Sequence, residues 1–273
     1  MSWFDALILG LVEGITEFLP ISSTGHLILT ESFLGLSGPE ADRALIIIQG
    51  AAILAVCWEY RVKLWKVAVS IVKEPDARRF AANLLIAFVP LALLAWRFGD
   101  RIKELLFAPV PVASALVAGG VFILWAEKRK HVERIATTDE IKPLDALKVG
   151  LFQVLALFPG TSRSAATILG GLFIGMSRRV ATEFSFFIAI PALLAATVYE
   201  LWQVRDQMST AEATPLAISS VVAFISALLS IRFLIRFVSR HSFAVFAWYR
   251  IVFGGIILLA TFFGWVNWEH VSR

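Results

Sequence analysis

The sequence is short of charge and of cysteine. Only 17% of its 273 residues are charged, 58% are hydrophobic, and the mean hydropathy is +0.77. A soluble globular domain is roughly 45–50% apolar and about 25% charged, so this composition excludes a disordered, fibrous or ordinary cytosolic protein. The lone Cys57 excludes an internal disulfide bond and a cysteine-rich metal cluster. The composition predicts a polytopic membrane protein.

The N-terminal segment and the net charge exclude two further readings. The first 14 residues, MSWFDALILGLVEG, lack a basic leading region, and Glu13 interrupts their apolar run, so we expect no cleavable signal peptide. The charge of +4 and the pI near 9.4 would suit nucleic acid. In so apolar a chain they instead indicate Lys and Arg on cytoplasmic loops. We therefore expect membrane lipids, and no nucleic acid, as partners.

Six stretches are long and apolar enough to span a bilayer, which takes about 20 residues. They are residues 43–61, 80–98, 110–127, 182–202, 215–235 and 243–266. Two other apolar stretches are interrupted: 6–36 by two glutamates and PISSTGH (20–26), and 146–175 by PGTSRS (159–164). Backbone N–H and C=O groups that are not paired within a helix are tolerated at membrane depth only where they are buried in protein or line a water-filled cavity. We predict that both stretches are re-entrant helix hairpins.

The chain repeats itself at an offset close to 140 residues. GLVE at 10–13 aligns with GLFQ at 150–153, and, with one deletion, PISS at 20–23 falls on PGTS at 159–162. Internal repeats of this kind define the architecture. The prediction is an all-α integral membrane protein, one domain over 1–273, with repeat one at 1–135 and repeat two at 136–273. Each repeat has one hairpin and three spans, an odd number, so the second repeat is inverted.

The basic residues set the predicted orientation. With the N-terminus outside, seventeen Lys and Arg fall on the inner side and six on the outer side, while Arg163 and Arg250 lie within apolar stretches. Cytoplasmic loops carry such an excess. Both termini are therefore predicted outside, with the first hairpin entering from outside and the second from inside. For Arg250, a structural role is favoured over the alternatives of pairing with Glu183 or capping the cavity.

Two glutamates in the first hairpin are the leading candidates for chemistry. An ionisable residue inside a membrane marks a functional site by default. Glu13 and Glu17 are four residues apart, hence on one helical face, where like charges repel. A divalent cation, Mg²⁺ or Ca²⁺, between them would relieve the repulsion because hard cations prefer carboxylate oxygens. A shared proton would also relieve it.

The two interruptions of the apolar stretches, PISSTGH (20–26) and PGTSRS (159–164), are candidate anion sites, and we call them the two breaks. Helix N-termini bind anions through free N–H groups and the helix dipole, and arginine is well suited to phosphate. A diphosphate fits this description, held between two half-helix N-termini. The predicted catalytic residues are Glu13, Glu17, Ser23, His26 and Arg163. The predicted substrate-binding residues are Ser22, Thr24, Gly25, Gly160, Thr161, Ser162 and Ser164.

The nucleophile stays open at this stage. Ser22, Ser23 and Thr24 are all candidates, and Ser23 lies three residues before His26, a spacing that places both on one face of a helix. His26 would then take the hydroxyl proton or protonate the leaving oxygen. In the alternative, Ser23 only binds phosphate and a metal-bound water attacks.

The motifs EGITEFLPISSTGH (13–26) and PGTSRS (159–164) resemble the two signature motifs of the undecaprenyl-diphosphatase family, the bacitracin-resistance membrane phosphatases. EFSFFIAIP (183–191) resembles a third family stretch, and the similarity runs over essentially the whole chain. The resemblance implies hydrolysis of undecaprenyl diphosphate in the bacterial inner membrane, helped by a divalent cation, at a site open to the periplasm. It also implies the roles of Glu13, Glu17, His26 and Arg163. Ala165 departs from the glycine usual after SRS and predicts a slightly shifted second loop.

Inverted repeats are also transporter architecture, so a polyprenyl-phosphate flippase or transporter is the alternative function. The repeats are chemically unequal, because Gln153 stands where Glu13 stands in the first repeat. That asymmetry favours catalysis on a polyprenyl diphosphate. A homodimer is compatible with the sequence.

Overall fold

The computed structural model describes residues 1–205 and 213–264, and these residues are almost entirely α-helical. Two short 3₁₀ turns lie at Thr138–Glu140 and Val154–Leu157. The helices in chain order are α1 (Trp3–Thr16), α2 (Ser23–Leu34), α3 (Pro39–Glu59), α4 (Arg61–Ser70), α5 (Pro75–Leu106), α6 (Pro109–Glu127), α7 (Pro143–Gln153), α8 (Arg163–Phe173), α9 (Arg178–Val204), α10 (Ala213–Val238) and α11 (Ala244–Phe262). The all-α prediction is confirmed.

Six of the described helices are long and apolar enough to cross a membrane, by length and composition. The spans are Glu40–Glu59, Pro75–Gly99, Pro109–Glu127, Arg178–Gln203, Ala213–Val238 and Ala244–Phe262. They coincide with the six predicted stretches, so the prediction of a multi-pass membrane protein is confirmed. The predicted end of the last stretch, 265–266, and Arg273 of the charge count lie outside the described residues.

Five of the described helices are too short to cross a bilayer: α4, with 10 residues, and the four helices beside the two interruptions in the apolar pattern. α1, α2, α7 and α8 have 14, 12, 11 and 11 residues. At about 1.5 Å per residue each reaches about 16–21 Å, whereas the hydrocarbon core is about 30 Å thick. α1 packs on α2 and α7 packs on α8, and each pair turns at one of the two interruptions in the apolar pattern. We call the α1–α2 pair the first hairpin and the α7–α8 pair the second hairpin.

Glycines seat each hairpin against a long helix from the other half of the chain. α1 packs along α10 and α7 packs along α5, while α6 packs along α11. Gly10 of α1 lies against the backbone oxygen of Ser219, and Gly150 of α7 lies against that of Ala87; a Cβ at either glycine would clash with that oxygen. Small residues let membrane helices approach closely and gain dispersion contacts. The spacing between Gly10 and Gly150 is the predicted repeat offset.

Both hairpins turn at a serine with positive φ. Ser22 (φ 72°, ψ 100°) directly precedes α2, and Ser162 (φ 72°, ψ 113°) directly precedes α8. Such backbone costs on the order of 1–3 kcal/mol and persists only where surrounding contacts enforce it. The backbone therefore matches Ser22 with Ser162 and Ser23 with Arg163. The alignment with one deletion differs from this register by one residue, because it followed two matching prolines rather than backbone conformation.

Candidate active site

Glu13 and Glu17 lie at the C-terminal end of α1, on one face. Glu13 is within the helix, and Glu17 follows its last residue with its N–H donating to the Glu13 carbonyl at 2.9 Å. Both residues are buried, with 1% and 8% of their surfaces exposed. A buried carboxylate is costly unless it is paired and hydrogen-bonded, so the partners of each glutamate decide what it can do.

Glu17 has a partner in each hairpin. The hydroxyl of Ser23, the first residue of α2, donates to Glu17 Oε2 at 2.5 Å. Arg163, the first residue of α8, donates from Nη2 to Glu17 Oε1 at 3.3 Å, and its Nη1 donates to the Ser185 carbonyl of α9 at 3.1 Å. Arg163 Nε is buried without a hydrogen-bond partner among the described residues. The structure thus joins an acid, a hydroxyl and an arginine from two distant parts of the chain.

Glu13 faces a cavity. Both of its carboxylate oxygens are buried and have no hydrogen-bond partner in the described part of the chain. Glu13, Thr24 and Gln49 line a cavity of about 520 Å³, together with several other acidic and apolar residues. Glu13 links this cavity to the acid–hydroxyl–arginine contact, because it lies one helical turn before Glu17. Gln49 was not predicted as a site residue. Its amide side chain lies inside an apolar span, which was the available signal.

The carboxylates of Glu13 and Glu17 fit a divalent cation only when a further ligand completes the set. Across residues 1–205 and 213–264, no group of three or more His, Cys, Asp or Glu side chains is arranged to hold a metal ion. Mg²⁺ is usually bound by one or two carboxylates together with substrate phosphates. The two orphaned oxygens of Glu13 supply such a carboxylate, so the residues present suit a cation that arrives with a diphosphate.

His26 is buried in α2 and is turned away from Ser23. Its Nδ1 lies 2.7 Å from the Ser22 carbonyl oxygen, and its Nε2 lies 2.6 Å from the Tyr249 hydroxyl of α11. Its ring stacks on Phe253, with 4.2 Å between ring centroids. No hydrogen bond joins His26 to Ser23. The two residues do share a stretch of helix, but Ser23 reaches back to α1 while His26 reaches across to α11.

Some of the predicted substrate-binding residues line the cavity, and others make the contacts that hold the helices around it. Thr24 lines the cavity, whereas Gly25 packs closely against α6. The hydroxyls of Ser162 and Ser164 lie 3.0 Å apart, and Ser164 donates to the Leu19 carbonyl at 2.9 Å, which ties the second hairpin to the first. Ser162 and Ser164 therefore build the site rather than face its open space.

Ala165, at the position where the resemblance implies glycine, lies in the first turn of α8. Ala165 is buried, and its N–H donates to the Ser162 hydroxyl at 3.2 Å, which caps the helix. Its φ is not positive, so the extra methyl group meets no backbone restriction at this position.

Arg250 joins the two breaks to each other. It is fully buried in α11. Its guanidinium donates, over 2.9–3.3 Å, to the backbone carbonyls of Pro20, Ala115, Leu116, Gly160 and Thr161. Arg250 does not pair with Glu183, which binds Arg179 one helical turn away, and its contacts agree with the structural role that the sequence favoured. Tyr249, the other polar contact that α11 makes with this site, was not predicted. The sequence signal that could have indicated Tyr249 is a hydroxyl next to Arg250 within an apolar span.

The model of the family described as bacitracin resistance protein BacA matches residues 6–256. The chain is 56% identical to an undecaprenyl-diphosphatase of Nitrosospira multiformis over 272 residues, covering 98% of this chain and 100% of the relative. It is 54% identical to the enzyme of that name from Dechloromonas aromatica, covering 96% of each. One from Pseudomonas putida is 51% identical, covering 97% of this chain and 96% of the relative. This chain belongs to the BacA family.

Proposed function

We propose that this chain hydrolyses undecaprenyl diphosphate to undecaprenyl phosphate and inorganic phosphate. The observation that carries the proposal is the Glu17 carboxylate, contacted by the Ser23 hydroxyl and by the Arg163 guanidinium beside the unpartnered Glu13. Phosphoryl transfer through a serine requires a hydroxyl that is hydrogen-bonded to a base and lies near a positive charge, which the Arg163 guanidinium provides here. The names of the relatives support the lipid substrate. The reaction recycles the carrier lipid for cell-wall synthesis and confers bacitracin resistance.

Ser23 is the proposed nucleophile. Its Oγ attacks the terminal phosphorus while Glu17 Oε2 takes its proton; the O–P bond to serine forms, the bridging P–O bond breaks, and undecaprenyl phosphate leaves. Arg163 holds the non-bridging oxygens, where charge builds in the transition state. Water then cleaves the phosphoserine and releases phosphate. In the competing mechanism water attacks phosphorus directly, and no phosphate ever resides on Ser23.

Glu13 and Glu17 would hold a divalent cation, Mg²⁺ or Ca²⁺. When bound, the cation would neutralise charge on the diphosphate oxygens. The chain's own contribution is to leave the two buried Glu13 oxygens without hydrogen-bond partners among the described residues, so that both can bind the cation. Thr24 and Gln49 border the same cavity and would contact the headgroup there.

Hydrolysis is favoured over lipid transport by the inequality of the two hairpins. Gln153 occupies the position of Glu13 in the second hairpin and donates to the Ala87 carbonyl of α5 at 3.1 Å. Gln153 therefore holds α7 in place, and the second hairpin offers no acid at the position that matches Glu13. A transport pathway with equal access from both sides has no use for this difference.

The proposed architecture is a single membrane domain of two inverted repeats, 1–135 and 136–273, each with a re-entrant hairpin and three spans. Three features support it: the shortness of the hairpin helices, the matched packing of α1 on α10 and α7 on α5, and the two positive-φ serines 140 residues apart. We further propose that it lies in the bacterial inner membrane with the site open to the periplasm. A homodimer remains a prediction.

Sidedness is tested with single cysteines in a Cys57→Ala background, because the chain has one native cysteine. Ser37 and Lys130 are both exposed. A membrane-impermeant thiol reagent should label Ser37→Cys in intact cells, and Lys130→Cys only after permeabilisation. The reverse pattern would overturn the proposed orientation.

The activity is tested on purified protein in detergent. Phosphate release from a polyprenyl diphosphate should occur with Mg²⁺ or Ca²⁺ and stop with a chelator, and readdition of the cation should restore it. Turnover that continues in chelator would remove the cation from the proposal. A wild-type protein that releases no phosphate under any condition would remove the proposed activity.

A further inference from the structure

His26 is a buried ring with both nitrogens already engaged. A carbonyl oxygen can only accept, so the contact with Ser22 requires that Nδ1 carry the proton. In the neutral ring the remaining lone pair, on Nε2, then accepts from the Tyr249 hydroxyl. A general base needs that lone pair for the nucleophile. Here it is bonded to α11, and Ser23 is bonded to Glu17 instead.

The carbonyl held by His26 belongs to the strained residue of the first turn. Ser22 has φ 72° and makes no side-chain capping bond. The matching Ser162 has the same φ, but its hydroxyl accepts the N–H of Ala165 and so caps α8. The first turn lacks this cap, and the Nδ1–H of His26 supplies a hydrogen bond there. A strained conformation persists only where surrounding contacts enforce it.

We propose that His26 and Tyr249 are positioning residues for Ser23. The Tyr249 hydroxyl and the Phe253 ring hold the imidazole; the imidazole holds the Ser22 carbonyl; and the fixed Ser22 presents the next residue, Ser23, to Glu17. His26 transfers no proton to or from the nucleophile. The inference rests on the proposed function, because the placement of Ser23 is read out through hydrolysis.

The first test compares two substitutions of His26. Asparagine keeps an amide N–H near the position of Nδ1 and has no group that titrates as imidazole does, whereas alanine keeps neither. We expect His26→Ala to lower kcat on the order of 100-fold, the effect of a misplaced nucleophile. His26→Asn should recover most of this, to within about 5-fold of wild type, the worth of roughly one hydrogen bond. Equal inactivity of the two variants would overturn the proposal.

The second test is a double-mutant cycle between Tyr249 and His26. Tyr249→Phe removes only the hydroxyl and should lower kcat by about 5-fold. In the His26→Asn background the same change should cost nothing, because no Nε2 is left to hold. Tyr199→Phe is the control, since its hydroxyl accepts from Gln203 one turn along α9, and the described residues give it no bond to the site. A Tyr249 effect that persists in the His26→Asn background would contradict the proposal.

The third test does not use activity. In ¹⁵N-histidine-labelled protein, the neutral His26 ring should be the Nδ1–H tautomer, and Tyr249→Phe should weaken that preference. A Nε2–H tautomer in the wild type would overturn the proposal. Were the wild type unable to hydrolyse any polyprenyl diphosphate, the proposed function would fall, while the tautomer would still decide whether His26 holds Ser22.

Discussion

The two hairpins have the same backbone and different chemistry. Both consist of two short helices joined by a turn at a serine with φ 72°, and both pack through a glycine on a long helix. The first carries Glu13, Glu17 and Ser23; the second carries Gln153, which is bonded to α5, and contributes only Arg163 to Glu17. The matched turns supply two helix N-termini. In the proposed mechanism, the unequal side chains make the first hairpin the reacting arm and the second hairpin the binding arm.

The largest expected effect is on the reacting arm. Glu17→Gln keeps the shape of the side chain but removes both the proton acceptor and the charge opposite Arg163. We expect kcat to fall on the order of 10³-fold, as when a general base and its electrostatic partner are lost together. The control is Glu59→Gln, because Glu59 pairs with Arg232 and contacts none of the site residues named above. Full activity of Glu17→Gln would break the distinction between the arms.

The next effect is on the binding arm. Arg163→Lys keeps the positive charge but cannot serve Glu17, Ser185 and a phosphate at once, because it lacks the planar fork. We expect kcat/KM for a polyprenyl diphosphate to fall on the order of 100-fold. Arg179→Lys, at an exposed pair with Glu183, should leave kcat/KM unchanged. Equal losses in the two variants would show that a guanidinium at position 163 has no special role.

Arg250 tests the link between the arms. Arg250→Met leaves carbonyls of both turns and of α6 without their donor. Removing one partner of a buried polar network costs about 3 kcal/mol, so the thermal unfolding midpoint in detergent should drop clearly. Arg179→Met, at an exposed position, provides the baseline. An unchanged midpoint for Arg250→Met would mean that the two turns are held without it.

The smallest effect on kcat is expected at Gln153, which stands in the second hairpin where the first hairpin has Glu13. Gln153→Leu removes a hydrogen bond to α5 but no charge, so kcat should stay within about 5-fold of wild type. Glu13→Gln, the matched change in the first hairpin, should lower kcat on the order of 100-fold, because a carboxylate facing the diphosphate is lost. Comparable losses at the two positions would argue for a symmetric site.

Much of this arrangement could be predicted from the sequence. Apolar runs located the six spans, since hydrocarbon thickness sets their length. The buried acids and the hydroxyl-rich turns singled out Glu13, Glu17, Ser23 and Arg163, because charge at membrane depth is too costly without a role. The structure brings Ser23 and Arg163 to Glu17, and the catalytic roles of these residues stay predictions.

The contacts between helices could not be predicted in the same way. Helical spacing placed Ser23 and His26 on one face, but the partner of each depends on which helix packs opposite, and that is a tertiary property. The five carbonyls that Arg250 binds leave no sequence signal, since backbone oxygens are common to all residues. Proline identity likewise could not set the register of the turns, which follows φ at Ser22 and Ser162.

In the proposed mechanism, Ser23 is activated by Glu17 and attacks the diphosphate. The most direct measurement is rapid acid quench of the wild-type protein with a polyprenyl diphosphate labelled in its terminal phosphate, followed by mass spectrometry of the segment around residue 23. We expect labelled phosphate on Ser23 of the wild type and none in Ser23→Ala or Glu17→Gln. Unlabelled Ser23 during turnover, together with near-normal hydrolysis by Ser23→Ala, would contradict this mechanism and leave direct attack by water.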